Sequence, residues 1–353
     1  MNVLILGGTG AIGAHLVRKL VAGGVSCVVT SRKKRPTESN PTYAQGNAHD
    51  IIFMQQVLST RKWDAIVDFM TYSTEDFKSR FQLLLRATRQ YIFLSSSRVY
   101  AECDGKITEN SPRLLDVCKE ENYLSTDEYA LRKARQEDVL QNSGYHHWTI
   151  IRPYVTFSEQ RLQLSPLEKE YWLYRALHGR TIVFSKDLAE KTTTLTYGED
   201  VARGIASLIG KESAFGKAFH ITISETHQWS EILMAYLDVL ENKTGKRPKV
   251  LLTDKWESYF VGNVFQVKYD RMYDRKFDNS RINDFIDTST FKDTIPTLTQ
   301  CLSAFLENPY FKPINWRKEA RKDRLTGEWA RQSEIQGVKH KVIYLLNRLG
   351  LNL

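Results

Sequence analysis

Two hydrophobic rhythms alternate through the first half of the chain. Asn2 to Leu6, Ser26 to Thr30, Asp64 to Phe69, Tyr91 to Leu94 and His147 to Ile151 are short, nearly continuous apolar runs. Such runs suit strands buried on both faces of a parallel sheet. Between them Ala11 to Ala22, Ile51 to Leu58 and Glu128 to Gln141 read as helices, the last with Ser125 or Thr126 as its cap, and Thr42 to Gln45 reads as one more short strand. The alternation predicts an α/β protein on a doubly wound parallel sheet, a Rossmann fold.

From about Thr156 onward this pattern weakens, and aromatic and charged residues interleave. A first domain over 1–155 and a smaller mixed substrate-binding lobe over 156–309 are expected, some segments of the lobe returning to the first domain. Thr194 to Tyr197, Ala218 to Thr222, Trp229 to Leu240 and Phe291 to Leu306 are its clearest elements. Residues 310–353 read as a separate basic helical tail. Its ten Lys/Arg and four acids carry +6 of the whole chain's +9. The apolar stretch from Val342 to Leu353 is expected to pack on the body or on a neighbouring subunit, and contact with a membrane surface is the less favoured reading.

With 353 residues, 42% hydrophobic and 26% charged, the chain can bury a sizeable core. No apolar run approaches the roughly 18 residues of a membrane span. The first strand starts at residue 2, which leaves no room for a signal peptide, so a cytoplasmic location is expected. Cys27, Cys103, Cys118 and Cys301 are scattered, so neither a disulfide framework nor a zinc site is indicated, and no metal is expected.

Chemistry enters at Gly7-Gly8-Thr9-Gly10-Ala11-Ile12-Gly13, directly between the first strand and the first helix. Gly7 permits a tight turn, Gly10 lets a pyrophosphate approach the backbone, and Gly13 lets helix and sheet pack closely. The helix N-terminus then favours the anion. The second strand ends in Thr30-Ser31-Arg32-Lys33 where an NAD-preferring site places a carboxylate. Arg32 and Lys33 can pair with a 2′-phosphate, so NADP is expected, with NAD as the alternative. Further along, Ser95-Ser96-Ser97-Arg98-Val99-Tyr100 follows the fifth strand. Tyr129 and Lys133 lie one turn apart on the helix 128–141, with Glu137 a turn beyond.

Together these motifs resemble the extended short-chain dehydrogenase/reductase superfamily, in particular its NAD-dependent epimerase/dehydratases that modify nucleotide sugars. The resemblance spans roughly residues 1 to 307. It implies that Tyr129 exchanges a proton with a sugar oxygen, that Ser96 hydrogen-bonds the same oxygen, and that Lys133 holds the nicotinamide ribose and tunes the phenol. It implies cofactor contacts at Gly7, Thr9, Gly10, Ala11, Ile12, Gly13, Ser31, Arg32, Asn47, Ala48, Phe69, Met70, Lys133 and Pro153. A homodimer is also implied.

Ser97 and Arg98 stand where sugar dehydratases of the family carry Asp and Glu, which disfavours dehydration. Thr193 stands where a substrate-phosphate arginine is usual, and Arg161, Lys169, Arg175 and Arg180 are alternative phosphate ligands. The leading expectation is an NADP-using reductase of a nucleotide-linked keto-sugar. A 4-epimerase with retained NAD is the alternative, and an RNA- or nucleotide-binding protein on the same fold is a third reading of another class. Nucleic acid is the less expected partner, because a binding protein has no use for a tuned phenol.

Overall fold

The five apolar runs, with Thr42–Gln45 and one strand from the later half, form one all-parallel sheet of seven strands: β1 (Asn2–Leu6), β2 (Ser26–Ser31), β3 (Thr42–Gln45), β4 (Ala65–Asp68), β5 (Tyr91–Leu94), β6 (Trp148–Pro153) and β7 (Lys217–Ile221). Their order across the sheet is β7-β6-β5-β4-β1-β2-β3. The chain runs outward from β1 to β3, then returns to the other side of β1 and runs outward again. That reversal opens a crevice beyond the carboxyl ends of β1 and β4, where ligands bind in open α/β sheets.

This computed structural model describes residues 1–36 and 39–351. It divides into two units, the first made of Met1–Ser158, Thr194–Glu225 and Arg275–Thr294, the second of Glu159–Thr193, Thr226–Asp274 and Ile295–Leu353. The chain therefore leaves the first unit and returns to it twice.

In the first unit the principal helices are α1 (Gly13–Ala22), α2 (Ile51–Ser59), α3 (Thr74–Arg86), α4 (Tyr129–Gln141) and α5 (Gly198–Leu208). Alternate strand residues enter opposite cores. Val3, Ile5, Val29, Val67 and Ile151 pack with Leu16 and Leu20 of α1 and Val201 and Ile205 of α5. Leu4, Leu6, Val28, Ile66 and Phe93 pack with Met54 of α2 and Phe77 and Leu84 of α3. Burying each such side chain contributes about 1.5–3 kcal/mol, so both helical layers are held to the sheet by the strands' continuous apolar character.

Several boundaries differ from the pattern's prediction. α1 starts at Gly13 rather than Ala11, because the residues before it remain in the turn. The cap of α4 is neither Ser125 nor Thr126: the Glu128 carboxylate accepts the Ala130 N–H at 2.8 Å, while Ser125 Oγ donates to Asn122 O. α3 was not singled out in the sequence, although Phe77, Leu84 and Leu85 recur at helical spacing on its buried face, and its ends are fixed as well. Ser73 Oγ accepts the Asp76 N–H at 3.1 Å, Glu75 and Asp76 fill the first turn, and Arg86 lies in the last.

In the second unit lie α6 (Trp229–Thr244), most of α7 (Thr294–Glu307), α8 (Trp316–Thr326) and α9 (Val338–Leu349). Two strand pairs join them: Ile182–Ser185 parallel to Val250–Thr253, and Thr192–Thr193 antiparallel to His227–Gln228. Residues 310–351 are built into this unit rather than standing apart from it. Trp316, Ala320, Ile335 and Tyr344 share a core with Tyr174. Arg175 donates to Glu319 at 3.0 Å and Asp323 at 2.6 Å, and Arg180 to Asp323 at 3.0 Å and Glu334 at 3.1 Å. Asn352 and Leu353, the end of the predicted apolar stretch, lie outside the described residues. Among the described residues no helix is long and apolar enough to cross a membrane.

Candidate functional site

The glycine turn and the ends of β2 and β4 enclose a cleft of about 380 Å³ in the first unit. Gly7 sits at φ +69°, a conformation open to glycine, and its N–H donates to Thr30 Oγ1 at 3.0 Å. A Cβ on Gly10 would meet no heavy atom within 4 Å, so this stretch of backbone faces open space. By contrast, a Cβ on Gly13 would lie 2.7 Å from the Gly8 backbone, so that glycine serves close packing.

Of the residues expected to contact a cofactor, Gly7, Thr9, Gly10, Ser31, Arg32, Asn47, Ala48, Phe69 and Met70 line this cleft. Ala11, Ile12, Gly13, Lys133 and Pro153 do not. Ile12 belongs to the core, and Pro153 ends β6 in register with Ile221. Thr30, Gly46, His49 and Thr71 also line the cleft and were not singled out by the sequence. Among the described residues no carboxylate lines it, and Arg32 is exposed at its wall. Arg80 of α3 fixes the floor loop by donating to Ala48 O and His49 O, each at 3.2 Å.

The second part of the site is built where the segment after β5 crosses α4. Lys133 Nζ donates to Leu94 O at 2.7 Å, Ser95 Oγ donates to Glu137 Oε1 at 2.5 Å, and the Arg98 guanidinium lies 5.1 Å from the centre of the Tyr129 ring. Leu94, Ser95 and Arg98 thus meet Lys133, Glu137 and Tyr129, the three residues on one face of α4. Ser96 lies between these contacts.

The three serines have different roles. Ser95 binds Glu137 and Ser97 donates to Arg152 O at 2.7 Å, so both fasten the turn. Ser96 Oγ accepts the Arg98 N–H at 3.2 Å, and its own proton goes to no acceptor among the described residues. The Tyr129 ring is half-buried, and its hydroxyl likewise makes no hydrogen bond among them.

Glu137 anchors the arrangement from below. It is fully buried and receives Arg152 Nε at 2.9 Å and Nη2 at 2.6 Å. Burial pushes the Lys133 ammonium down to about 8, against the opposing pull of Asp68 and Glu137, and Arg132 adds to the depression. Asp68 was missed by the sequence reading. It ends β4 fully buried, accepts the Met70 N–H at 2.9 Å and the Tyr91 hydroxyl at 2.8 Å, and burial raises its pKa. An acid closing an otherwise apolar strand was the available signal. Among the described residues no cluster suits a metal ion.

In the second unit, Arg175 and Arg180, considered above as phosphate ligands, are committed to the acids of α8 and the following loop. Lys169 donates to Gln160 O at 2.6 Å, and the half-exposed Arg161 lies 3.7 Å from Glu168.

A seven-stranded parallel sheet with a Gly-x-x-Gly-x-x-Gly turn at its switch point and a Tyr-x-x-x-Lys helix beside a serine turn mark the fold of the extended short-chain dehydrogenase/reductase superfamily. The chain belongs to the NAD dependent epimerase/dehydratase family, whose profile matches residues 3–222. It is 28% identical over 236 residues to the chloroplast stem-loop binding protein of 41 kDa b of Arabidopsis thaliana, a match covering 63% of this chain and 58% of that protein. It is 26% identical over 169 residues to a UDP-glucose 4-epimerase of Lacticaseibacillus casei, covering 42% of this chain and 46% of the enzyme. The matches thus span about half the length of these curated relatives. Among solved structures, UDP-glucuronic acid 4-epimerase from Bacillus cereus, in complex with UDP-glucuronic acid and NAD, superposes with a TM-score of 0.64 at 16% identity, covering 88% of this chain and 100% of that one. WbmH of Bordetella bronchiseptica with NAD+ gives 0.67, also at 16% identity, covering 88% and 99%. At this identity the structural likeness concerns the fold.

Proposed function

We propose that the chain is a nicotinamide-dinucleotide-dependent 4-epimerase of a nucleotide-linked sugar. The observation that carries the proposal is the crossing of Leu94 to Arg98 over the Tyr129, Lys133 and Glu137 face of α4, which brings a phenol, an ammonium and an uncommitted serine hydroxyl to one turn of backbone. The cleft fits the cofactor: its described lining holds no carboxylate, and the bare backbone at Gly10 leaves room for a diphosphate. Gly7, Thr9 and Gly10 would hold that diphosphate, Asn47 and Ala48 the adenine, and Arg32 a 2′-phosphate if one is present.

When bound, the nicotinamide supplies the acceptor and then the donor of a hydride. Tyr129 takes the proton of the sugar hydroxyl and later returns it. Lys133 lies one turn along the same helix face, and the Arg98 and Arg132 guanidiniums lie 5.1 and 5.8 Å from the centre of the Tyr129 ring, so cations surround the phenol that exchanges this proton. Ser96 donates its free proton to the same sugar oxygen and fixes its direction. The buried Glu137–Arg152 pair holds Ser95, and through it the turn that carries Ser96.

The reductase reading rests on the basic turn at Arg32, whereas the relatives named for sugar chemistry are 4-epimerases, so the epimerase is preferred. A net fall in reduced-nicotinamide absorbance with a keto-sugar nucleotide would favour the reductase. Interconversion of two UDP-sugars with no net absorbance change supports the epimerase. Tyr129→Phe should abolish that interconversion while the cofactor, released by denaturation and identified by mass, still copurifies. Unchanged turnover in this variant would remove the assignment.

A further inference from the structure

The tail has a one-sided charge distribution that the site leaves unused. All four of its acids turn inward: Glu319 and Asp323 are fully buried on Arg175 and Arg180, Glu334 is bound by Arg180, and Glu328 accepts Thr181 Oγ1 at 2.7 Å. Lys312, Arg317, Arg324, Arg331, Lys339 and Lys341 are exposed. The outer face of residues 310–351 therefore carries cations and no exposed acid.

Apolar side chains accompany them. On α9, Val338, Val342, Leu345 and Leu349 are 78%, 47%, 47% and 57% exposed. At about 100° per residue these four fall within about 60° of arc. Lys339 lies to one side of the stripe, and Lys341 and Arg348 to the other. The opposite side of α9 holds Tyr344 and Asn347, which are buried. Beside the stripe Trp329 is 52% exposed, with the Arg348 guanidinium 4.5 Å from its ring, and Leu351 is 57% exposed.

We propose that this face of α9, with Trp329, docks on an anionic lipid surface. The aliphatic stripe gains by leaving water, the flanking cations gain from lipid phosphates, and an indole suits the boundary between them. A second copy of this chain would bring its own Lys339, Lys341 and Arg348 against the first with no exposed tail acid to meet them. RNA would meet the cations but leave four aliphatic side chains in water.

The test uses the full chain and flotation with phosphatidylcholine vesicles, with and without phosphatidylglycerol. The expected result is flotation with the anionic vesicles only, weakened by salt. It should fall about five-fold for each cation removed in Lys339→Gln and Lys341→Gln, and be lost in Val342→Glu and in Leu345→Glu, with sugar-nucleotide turnover unchanged in all four. As a readout independent of those variants, brominated lipid should quench part of the tryptophan emission, and that part should vanish in Trp329→Phe. Three results would overturn the proposal: no flotation with either vesicle, flotation unaffected by Val342→Glu, or a dimer that Val342→Glu converts to monomer without any vesicle binding. Stem-loop RNA binding lost in Lys339→Gln but kept in Val342→Glu, without vesicle binding, would assign the cations to nucleic acid and also overturn it.

Discussion

Glu137→Gln preserves the shape of a fully buried side chain and removes its charge. The carboxylate receives two bonds from Arg152 and one from Ser95, and Arg113 lies 3.5 Å from Oε2. Arg113 has other partners in Asp116 at 2.8 Å and Asp138 at 2.7 Å, so its loss is small. Arg152 keeps only neutral acceptors, the Tyr100 hydroxyl at 3.0 Å and Glu109 O at 3.1 Å. Breaking a buried pair from one side destabilises by about 3–5 kcal/mol, and the retained amide oxygen places this variant near the lower end. For a unit of this size that is a fall in Tm of about 6–12 °C. Thermal unfolding followed by circular dichroism reads it directly. Adding Arg152→Met should recover part of the loss, because the stranded charge is then gone. A fall of less than about 1 kcal/mol, or a double variant worse than the sum of the singles, would refute the view that Glu137 acts chiefly as the counter-ion of Arg152.

Three further outcomes are expected. Gly13→Ala should destabilise the fold, because its Cβ would collide with backbone at 2.7 Å, whereas Gly10→Ala should leave stability unchanged and weaken copurification of the cofactor; equal thermal stability of the two would contradict this. Arg32→Ala should weaken NADPH binding more than NADH binding in a titration, and equal losses would show that the basic turn does not read the 2′-phosphate. Lys133 and Lys322 are each pushed by burial from 10.5 to about 8. Between those values the folded chain binds fewer protons than the unfolded one, so stability of the cofactor-free protein rises with pH across this window. The penalty, about 3 kcal/mol for each lysine, is fully present below pH 8. Cys27, raised to about 11 by burial, opposes the trend above its ordinary value of 9.0, so the comparison is with Lys322→Met, whose denaturation midpoint should climb less between about pH 7 and 9. Parallel curves would show that Lys322 is not desolvated.

Most of the sheet was legible because five of its strands are apolar runs with no competing period, and Thr42–Gln45 and Tyr91–Leu94 fall where the residues place them. The glycine turn and the Tyr129/Lys133 spacing were legible because their geometry is local. What depended on distant partners was not. Glu137 reads as one more helix acid until Arg152 arrives from β6, and Asp68 reads as a strand terminus until Tyr91 closes over it. Arg175 and Arg180 looked like free cations beside aromatic residues, since their acids lie some 140 to 155 positions later. The tail's composition gave its net charge but not which way its charges face, because the inward turn of Glu319, Asp323, Glu328 and Glu334 onto partners in another segment cannot be seen in a count.

The edge position of β7 has a consequence for synthesis. When β6 leaves the ribosome its outer rim has no neighbour, and about sixty residues must follow before Lys217–Ile221 can cover it. During that interval the nascent sheet presents a row of open amides and carbonyls flanked by apolar side chains, an invitation to pair with another chain. Polypeptides terminated between 158 and 216 should therefore precipitate, and quality control in the producing cell has its greatest demand at that stage of translation.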